Sequence, residues 1–267
     1  MRRALGTELT RLAVFASVLI FVGGAWGQER VTVFAAASTG PVLEDIAEAF
    51  SGQRGAAIVV VPAATSSLVR QVEAGAPAHL LISAAVVWMD RLDRAGLLGP
   101  QTRRAFLGNR LVFIAPAGSD VTLTLAGGAA LGDALLKALG DSRLAVGDPE
   151  HVPAGIYAKE ALTSLGAWPQ IADRLAPGVN VTAALAYVAR GEARIGIVYG
   201  SDAAATNRVR VVADIPAASH TPILYEVAAI GPPSPATARF LAFLFGSEAR
   251  AVFTAHGFAP PPAPSAR

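Results

Sequence analysis

The sequence predicts an α/β protein of two lobes with a ligand cleft between them. Three observations carry the prediction. Short apolar runs of strand type alternate with segments of helical spacing, first over residues 31–95 and again over 131–212. Such alternation implies a parallel sheet covered by helices on both faces. A strand-like run at 223–230 and helical spacing at 237–254 then imply that the chain returns late to pack on the first set. Finally, 267 residues of which 53% are hydrophobic supply apolar material for two cores of ordinary size.

The first 27 residues differ from the rest. Arg2, Arg3 and Arg11 lead into an apolar run at 12–22 and then Gly23, Gly24, Ala25 and Gly27. This is the pattern of a secretory signal peptide cleaved after Gly27, and the run is short for a membrane span. Without that segment 19 basic and 19 acidic residues remain, a balance that gives no electrostatic case for nucleic acid or an anionic membrane. Cysteine is absent, which excludes disulfides, a thiolate metal site, a cysteine nucleophile and a lipid anchor on cysteine.

In chain order, residues 31–36 (VTVFAA) form a β-type run that breaks at 37–41, with Pro41 at a helix opening and Ser38 or Thr39 near its cap. Val42, Leu43, Ile46, Ala47 and Phe50 continue at helical spacing. Residues 57–61 predict a second strand, followed by Thr65, Ser66 and Ser67 at the start of a helix over 68–74. Residues 78–83 and 88–95 are a third strand and helix. The run at 111–115 (LVFIA) reads as the strand that closes this first set. A helix ending at Leu139 reopens the alternation, and strands follow at 143–146, 195–198 and 209–212, with a helix over 183–189 opened by Val181 and Thr182. Residues 259–267 (APPPAPSAR) read as a frayed, Pro-rich tail.

The stretch 147–162 (GDPEHVPAGIYAKEAL) organises the rest. It reads as a strand exit, a turn and a helix whose opening carries Pro153, the residue that loses least by lacking an N–H there. The amides at Ala154, Gly155 and Ile156 then stand free at the positive end of a helix, beside side chains small enough for a ligand to approach. Most helix openings bind nothing, and Ser and Thr are ordinary caps. Here, however, neutral donors recur at Ser38 and Thr39, at Thr65, Ser66 and Ser67, at Ala154 and Gly155, and at Val181 and Thr182, while Tyr199 puts a phenol at the end of the strand IGIVY. Uncharged donors in a dry pocket suit a dianion.

The blocks VFAAAS at 33–38, VRQVEAGAPA at 69–78, LAVGDPEHVPAGIYAKEAL at 144–162, LGAW at 165–168 and GIVYGSDA at 196–203 resemble the periplasmic molybdate-binding proteins of ABC importers, over about residues 31–258. The resemblance implies a type II periplasmic-binding fold with the oxyanion in the cleft and two crossing hinge segments, near 111–115 and 224–228. It implies lobe I over 28–111 and 226–258 and lobe II over 112–225. By motif, the ligand residues it implies are Ser38, Thr65, Ala154, Val181 and Tyr199, with Thr39, Ser66 and Gly155 as further candidates. Thr65 stands where relatives often have Ser, with Ser66 adjacent. His79 and Ala85 replace carboxylates that relatives commonly carry beside the third strand. The implied ligand is molybdate, and tungstate with it, with no cofactor and no metal cation. The implied partner is the membrane permease of an ABC importer, and the receptor is a periplasmic monomer.

Other readings are weaker on the residues. His151 near Asp148 and Glu150 lacks the HExxH spacing of a zinc site, and Ser201 lacks the Gly-x-Ser-x-Gly elbow of a hydrolase. Trp88 and Trp168 read as packing. A regulator's sensing domain would not carry a signal peptide and would need a DNA-binding segment. The nearest rival is a receptor for another tetrahedral oxyanion such as sulfate, separated from molybdate by pocket size.

Overall fold

The computed structural model describes residues 29–54, 56–125 and 128–261. The expected signal peptide and the end of the Pro-rich tail lie outside these residues. The elements run β1 (Arg30–Ala36), α1 (Gly40–Arg54), β2 (Ala57–Ala63), α2 (Thr65–Glu73), β3 (Leu80–Ser83), α3 (Val86–Arg94), β4 (Arg104–Gly108) and β5 (Leu111–Pro116). They continue with α4 (Ala129–Leu139), β6 (Leu144–Gly147), α5 (Pro153–Ser164), α6 (Trp168–Ile171), β7 (Leu175–Gly178), α7 (Val181–Ala189), β8 (Ile195–Tyr199) and α8 (Gly200–Ala204). Last come β9 (Val209–Asp214), β10 (Leu224–Ala229), α9 (Pro235–Leu244) and α10 (Ser247–Ala255).

Two five-stranded sheets result, ordered β2-β1-β3-β10-β4 and β7-β6-β8-β5-β9. The expectation of parallel sheets holds only in part. β1 pairs in parallel with β2 and β3, and β6 with β7 and β8. β10 runs antiparallel to β3 and β4, and β5 antiparallel to β8 and β9. The reversal follows from connectivity: β5 and β10 are the strands that arrive from the other sheet, so no βαβ crossover fixes their direction.

Two strands absent from the sequence reading, β4 and β7, sit at sheet edges. Pro177 interrupts the strand pattern of β7, and an edge strand tolerates a missing N–H. The run at 111–115 opens the second sheet instead of closing the first. Because β5 and β10 are laddered on both sides, the chain between the sheets is free to bend only in the short links beside them, Asn109 with Arg110 and residues 215–223.

Apolar faces of both sheets are buried under the helices, with Val31, Val33, Leu80 and Ile82 in one and Val112, Ile114, Leu144 and Ile197 in the other fully enclosed. The returning helices α9 and α10 close the first sheet. Phe240 and Phe243 meet Phe50 of α1 edge-on at centroid distances of 5.0 and 5.3 Å. Ala259 is tied to Gly108 by a reciprocal pair of backbone hydrogen bonds, so the chain is held to that point and does not fray from 259.

The two departures at the third strand have local roles. His79 Nδ1 accepts from the amide of Thr32 at 3.0 Å, extending the β1–β3 pairing. Ala85 is the buried residue preceding α3, where Ser83 Oγ donates to its carbonyl and accepts from its amide. Among the described residues no helix is long and apolar enough to cross a membrane.

Candidate functional site

Where the carboxyl ends of the two sheets face each other, a small cavity is lined by Ala36, Ala37, Ser38, Ala64, Thr65, Ala84, Val152, Pro153, Ala154, Asn180, Val181 and Tyr199. All five principal residues picked from the sequence stand in this wall. About 220 Å³ of empty space lies between the walls, of which the centre of a water molecule can occupy about 10 Å³. That is the scale of a compact ion, below the range of pockets for larger organic ligands. Among the described residues no Lys, Arg, His, Asp or Glu lines it.

From the first sheet, β1 ends at Ala36 and the chain makes a 3-10 turn over Ala37–Thr39 into α1. Thr39 closes that turn by donating to the carbonyl of Ala36 at 2.7 Å, so its hydroxyl is spent away from the cavity. Ser38 faces the cavity, its Oγ 2.8 Å from the hydroxyl of Tyr225. Thr65 is the first residue of α2; its Oγ1 accepts from the amide of Ala84 at 3.2 Å. Ser66, one step round the helix, is fully buried outside the lining, its hydroxyl without a partner among the described residues.

From the second sheet, α5 opens at Pro153 after the extended Val152, with no side-chain cap. Its start is pressed against the end of β6: a Cβ at Gly155 would lie 2.1 Å from the carbonyl oxygen of Gly147, and one at Gly147 would lie 2.6 Å from Val152 Cγ1. The glycines at both ends of the GDPEHVPAG block therefore let helix and strand meet, and Gly155 serves this contact instead of lining the cavity. Ala154 is in the wall, and among the described residues no backbone carbonyl outside the helix takes its amide. The α7 opening brings Val181 to the wall and is capped by Asn180, whose Oδ1 accepts from the amide of Ala183 at 2.8 Å. Asn180 was missed from the sequence, although Asn just before a helical run is itself an N-cap signal.

Tyr199 closes the far side. Its ring is 1% exposed and its phenol oxygen is buried without a partner among the described residues. Burial, reinforced by the nearby Tyr225, Tyr157 and Asp202, holds its pKa well above the ordinary value of 10.0, so it stays a protonated donor. An unpaired buried hydroxyl costs free energy, and a ligand acceptor in the cavity removes that cost. Behind it, Asp202 Oδ2 accepts from the Tyr199 amide at 3.1 Å. Desolvation pushes this carboxyl up to about 7, against the opposing pull of that hydrogen bond.

The chemistry of the wall is one-sided. Hydroxyls and helix openings line the cavity, and among the described residues no carboxylate, imidazole or cationic side chain does. The openings of α2, α5 and α7 all lie in this wall, a combination that favours an anion by dipole and hydrogen bond. His151 lies 3.4 Å from Asp148 Oδ1, outside the cavity, and Lys159 Nζ is 2.7 Å from Glu150.

Residues 31–259 match the family of bacterial extracellular solute-binding proteins. The chain is 46% identical over 241 residues to the molybdate-binding protein ModA of Escherichia coli (strain K12), covering 88% of this chain and 91% of that one. It is 41% identical over 256 residues to the molybdate-binding protein ModA of Haemophilus influenzae, covering 94% and 99%. The solved periplasmic molybdate-binding protein of Azotobacter vinelandii superposes with a TM-score of 0.74 at 22% identity, covering 87% of this chain and all of that one, a likeness of fold.

Proposed function

From the premise that the chain belongs to the bacterial extracellular solute-binding proteins, we propose that it captures molybdate for an ABC importer. Tungstate, of the same shape and charge, is taken with it. The observation that carries the reading is the cavity itself, a space for a compact ion walled by Ser38, Thr65, Ala154, Val181 and Tyr199, with no charged side chain lining it among the described residues. Its two curated relatives of 46% and 41% identity are both molybdate-binding proteins.

The proposed cycle needs no chemistry on the ion. With the sheets apart, Ser38 and Thr65 are presented from the first and Ala154, Val181 and Tyr199 from the second. The dianion bridges them, and closure about Asn109–Arg110 and residues 215–223 is stabilised because only the closed form satisfies every donor. The lobes would then meet at these links, with Leu111 falling in the second and Leu224 and Tyr225 in the first, and the closed form is what the membrane permease reads. The protein acts as a periplasmic monomer, without cofactor, catalysis or nucleic acid.

A thermal-melt panel with molybdate, tungstate, sulfate, phosphate and nitrate tests this. A ligand at 100 times its Kd adds about 2.7 kcal/mol of stability. Shifts with molybdate and tungstate alone are expected; a shift with sulfate alone would reassign the substrate, and no shift would remove the receptor reading.

A further inference from the structure

We propose that Asn109 and Tyr225 set the hydrogen-bond polarity of the cavity, holding Ser38 as an obligate donor so that the site admits oxyanions bearing no proton and rejects those that carry one. The inference rests on the oxyanion-receptor reading above and assigns positioning roles to two residues outside the cavity wall.

A chain of side chains runs from the link between the sheets to the cavity. Asn109 Oδ1 accepts from the amide of Arg110 at 2.9 Å, which fixes the orientation of the carboxamide: its other end must be the NH₂. That group donates to Ser201 Oγ at 2.8 Å and to the Tyr225 hydroxyl at 3.3 Å. Tyr225 is fully buried, and its oxygen is thereby used as an acceptor. Its single proton needs an acceptor of its own, and among the described residues the one available is Ser38 Oγ at 2.8 Å. Ser38 accepts there, and its own proton is left for the cavity.

Direction is thus passed from Asn109 through Tyr225 to Ser38 and on to the ligand. Burial pushes the Tyr225 phenol far above its usual range, with the Asp202 carboxyl adding to the shift and the bonds to Ser38 and Asn109 opposing it, so the relay keeps its proton. Thr65 is arranged alike, since the amide of Ala84 donates to its oxygen. Hydrogen phosphate brings an O–H that must donate, and against a wall of donors that proton goes unpaired. The same four side chains span both sheets and the Asn109–Arg110 link, so the polarity of the site is set where the lobes join.

The test is calorimetric titration of the purified protein with sodium molybdate near pH 7.5, with inorganic phosphate as competitor. Tyr225→Phe keeps the ring and Ser38 but frees the serine hydroxyl to turn. Molybdate is expected to bind several-fold more weakly, and the preference for molybdate over phosphate to fall by about tenfold or more. Asn109→Asp replaces the donor by an acceptor, draws the Tyr225 proton away and turns Ser38 round; about tenfold weaker molybdate binding is expected. In the Tyr225→Phe background the same Asn109→Asp change should add no further loss. An equal loss in both backgrounds would mean simple charge repulsion and would overturn the relay, as would an unchanged molybdate-to-phosphate preference in Tyr225→Phe. That last measurement decides the matter by itself if Asn109→Asp does not fold. Failure of the unmodified protein to bind molybdate would instead sink the receptor reading, and the relay with it.

Discussion

The rings of Tyr199 and Tyr225 meet edge-on with centroids 5.9 Å apart, yet their hydroxyls are in opposite situations. Tyr225 is bonded to Ser38 and Asn109, while the oxygen of Tyr199 is buried with no partner among the described residues. One phenol is tied into the scaffold, and the other has its proton uncommitted among the described residues.

Tyr199→Phe should therefore separate stability from binding. Removing an unsatisfied buried hydroxyl should leave the ligand-free protein as stable or raise its stability by up to about 1 to 3 kcal/mol. The same change should weaken molybdate binding by a comparable amount. Urea melts with and without molybdate measure both; a variant that is destabilised without ligand and binds normally would show that the hydroxyl has a structural partner.

Ser38→Ala is expected to weaken binding by about 1 to 3 kcal/mol, the range for a hydrogen bond to a charged group. Thr39→Ser, whose hydroxyl can still close the turn on Ala36, should bind like the unmodified protein. Titration of both variants distinguishes the hydroxyl that faces the cavity from its neighbour.

Ala154→Asp places a carboxylate at the opening of α5, where the ion is to sit. Binding should be lost while a cooperative melt persists. A folded variant that still binds molybdate would refute the role of this helix opening.

Asp202 should make stability fall as pH rises. Its carboxyl is raised from 3.8 to about 7 in the folded protein, so the folded state binds the extra proton between those values. The stabilisation is complete below the unfolded pKa and is lost as pH climbs through about 7, at no more than about 1.4 kcal/mol per pH unit. Asp202→Asn keeps an acceptor for the Tyr199 amide and removes the titration. Urea unfolding at pH 5 and pH 8 should show a smaller difference for the variant; an equal difference would assign the pH dependence to other groups.

Much of the site was legible because its signals are local. A strand run, a break and a small or hydroxyl-bearing helix opening occupy adjacent residues, so the openings at 38–39, 65–67, 154–155 and 181–182 and the phenol of Tyr199 could be read from a few neighbours, and the family resemblance singled out Ser38, Thr65, Ala154, Val181 and Tyr199 among them. Their meeting in one cavity, the antiparallel entry of β5 and β10 and the edge strands β4 and β7 depend on pairings between distant residues, which periodicity does not encode. The choice of Thr65 over Ser66 was also tertiary, because successive residues at a helix opening face different directions and only packing decides which direction is the cavity. Asn109 and Tyr225 carried no local sign at all: their roles exist because folding brings residues 38, 109, 201 and 225 within hydrogen-bond reach. The sequence alone determined which donors the protein has and where helices present them; the tertiary structure decided which of those donors face one point and, through buried partners, which way each proton is directed.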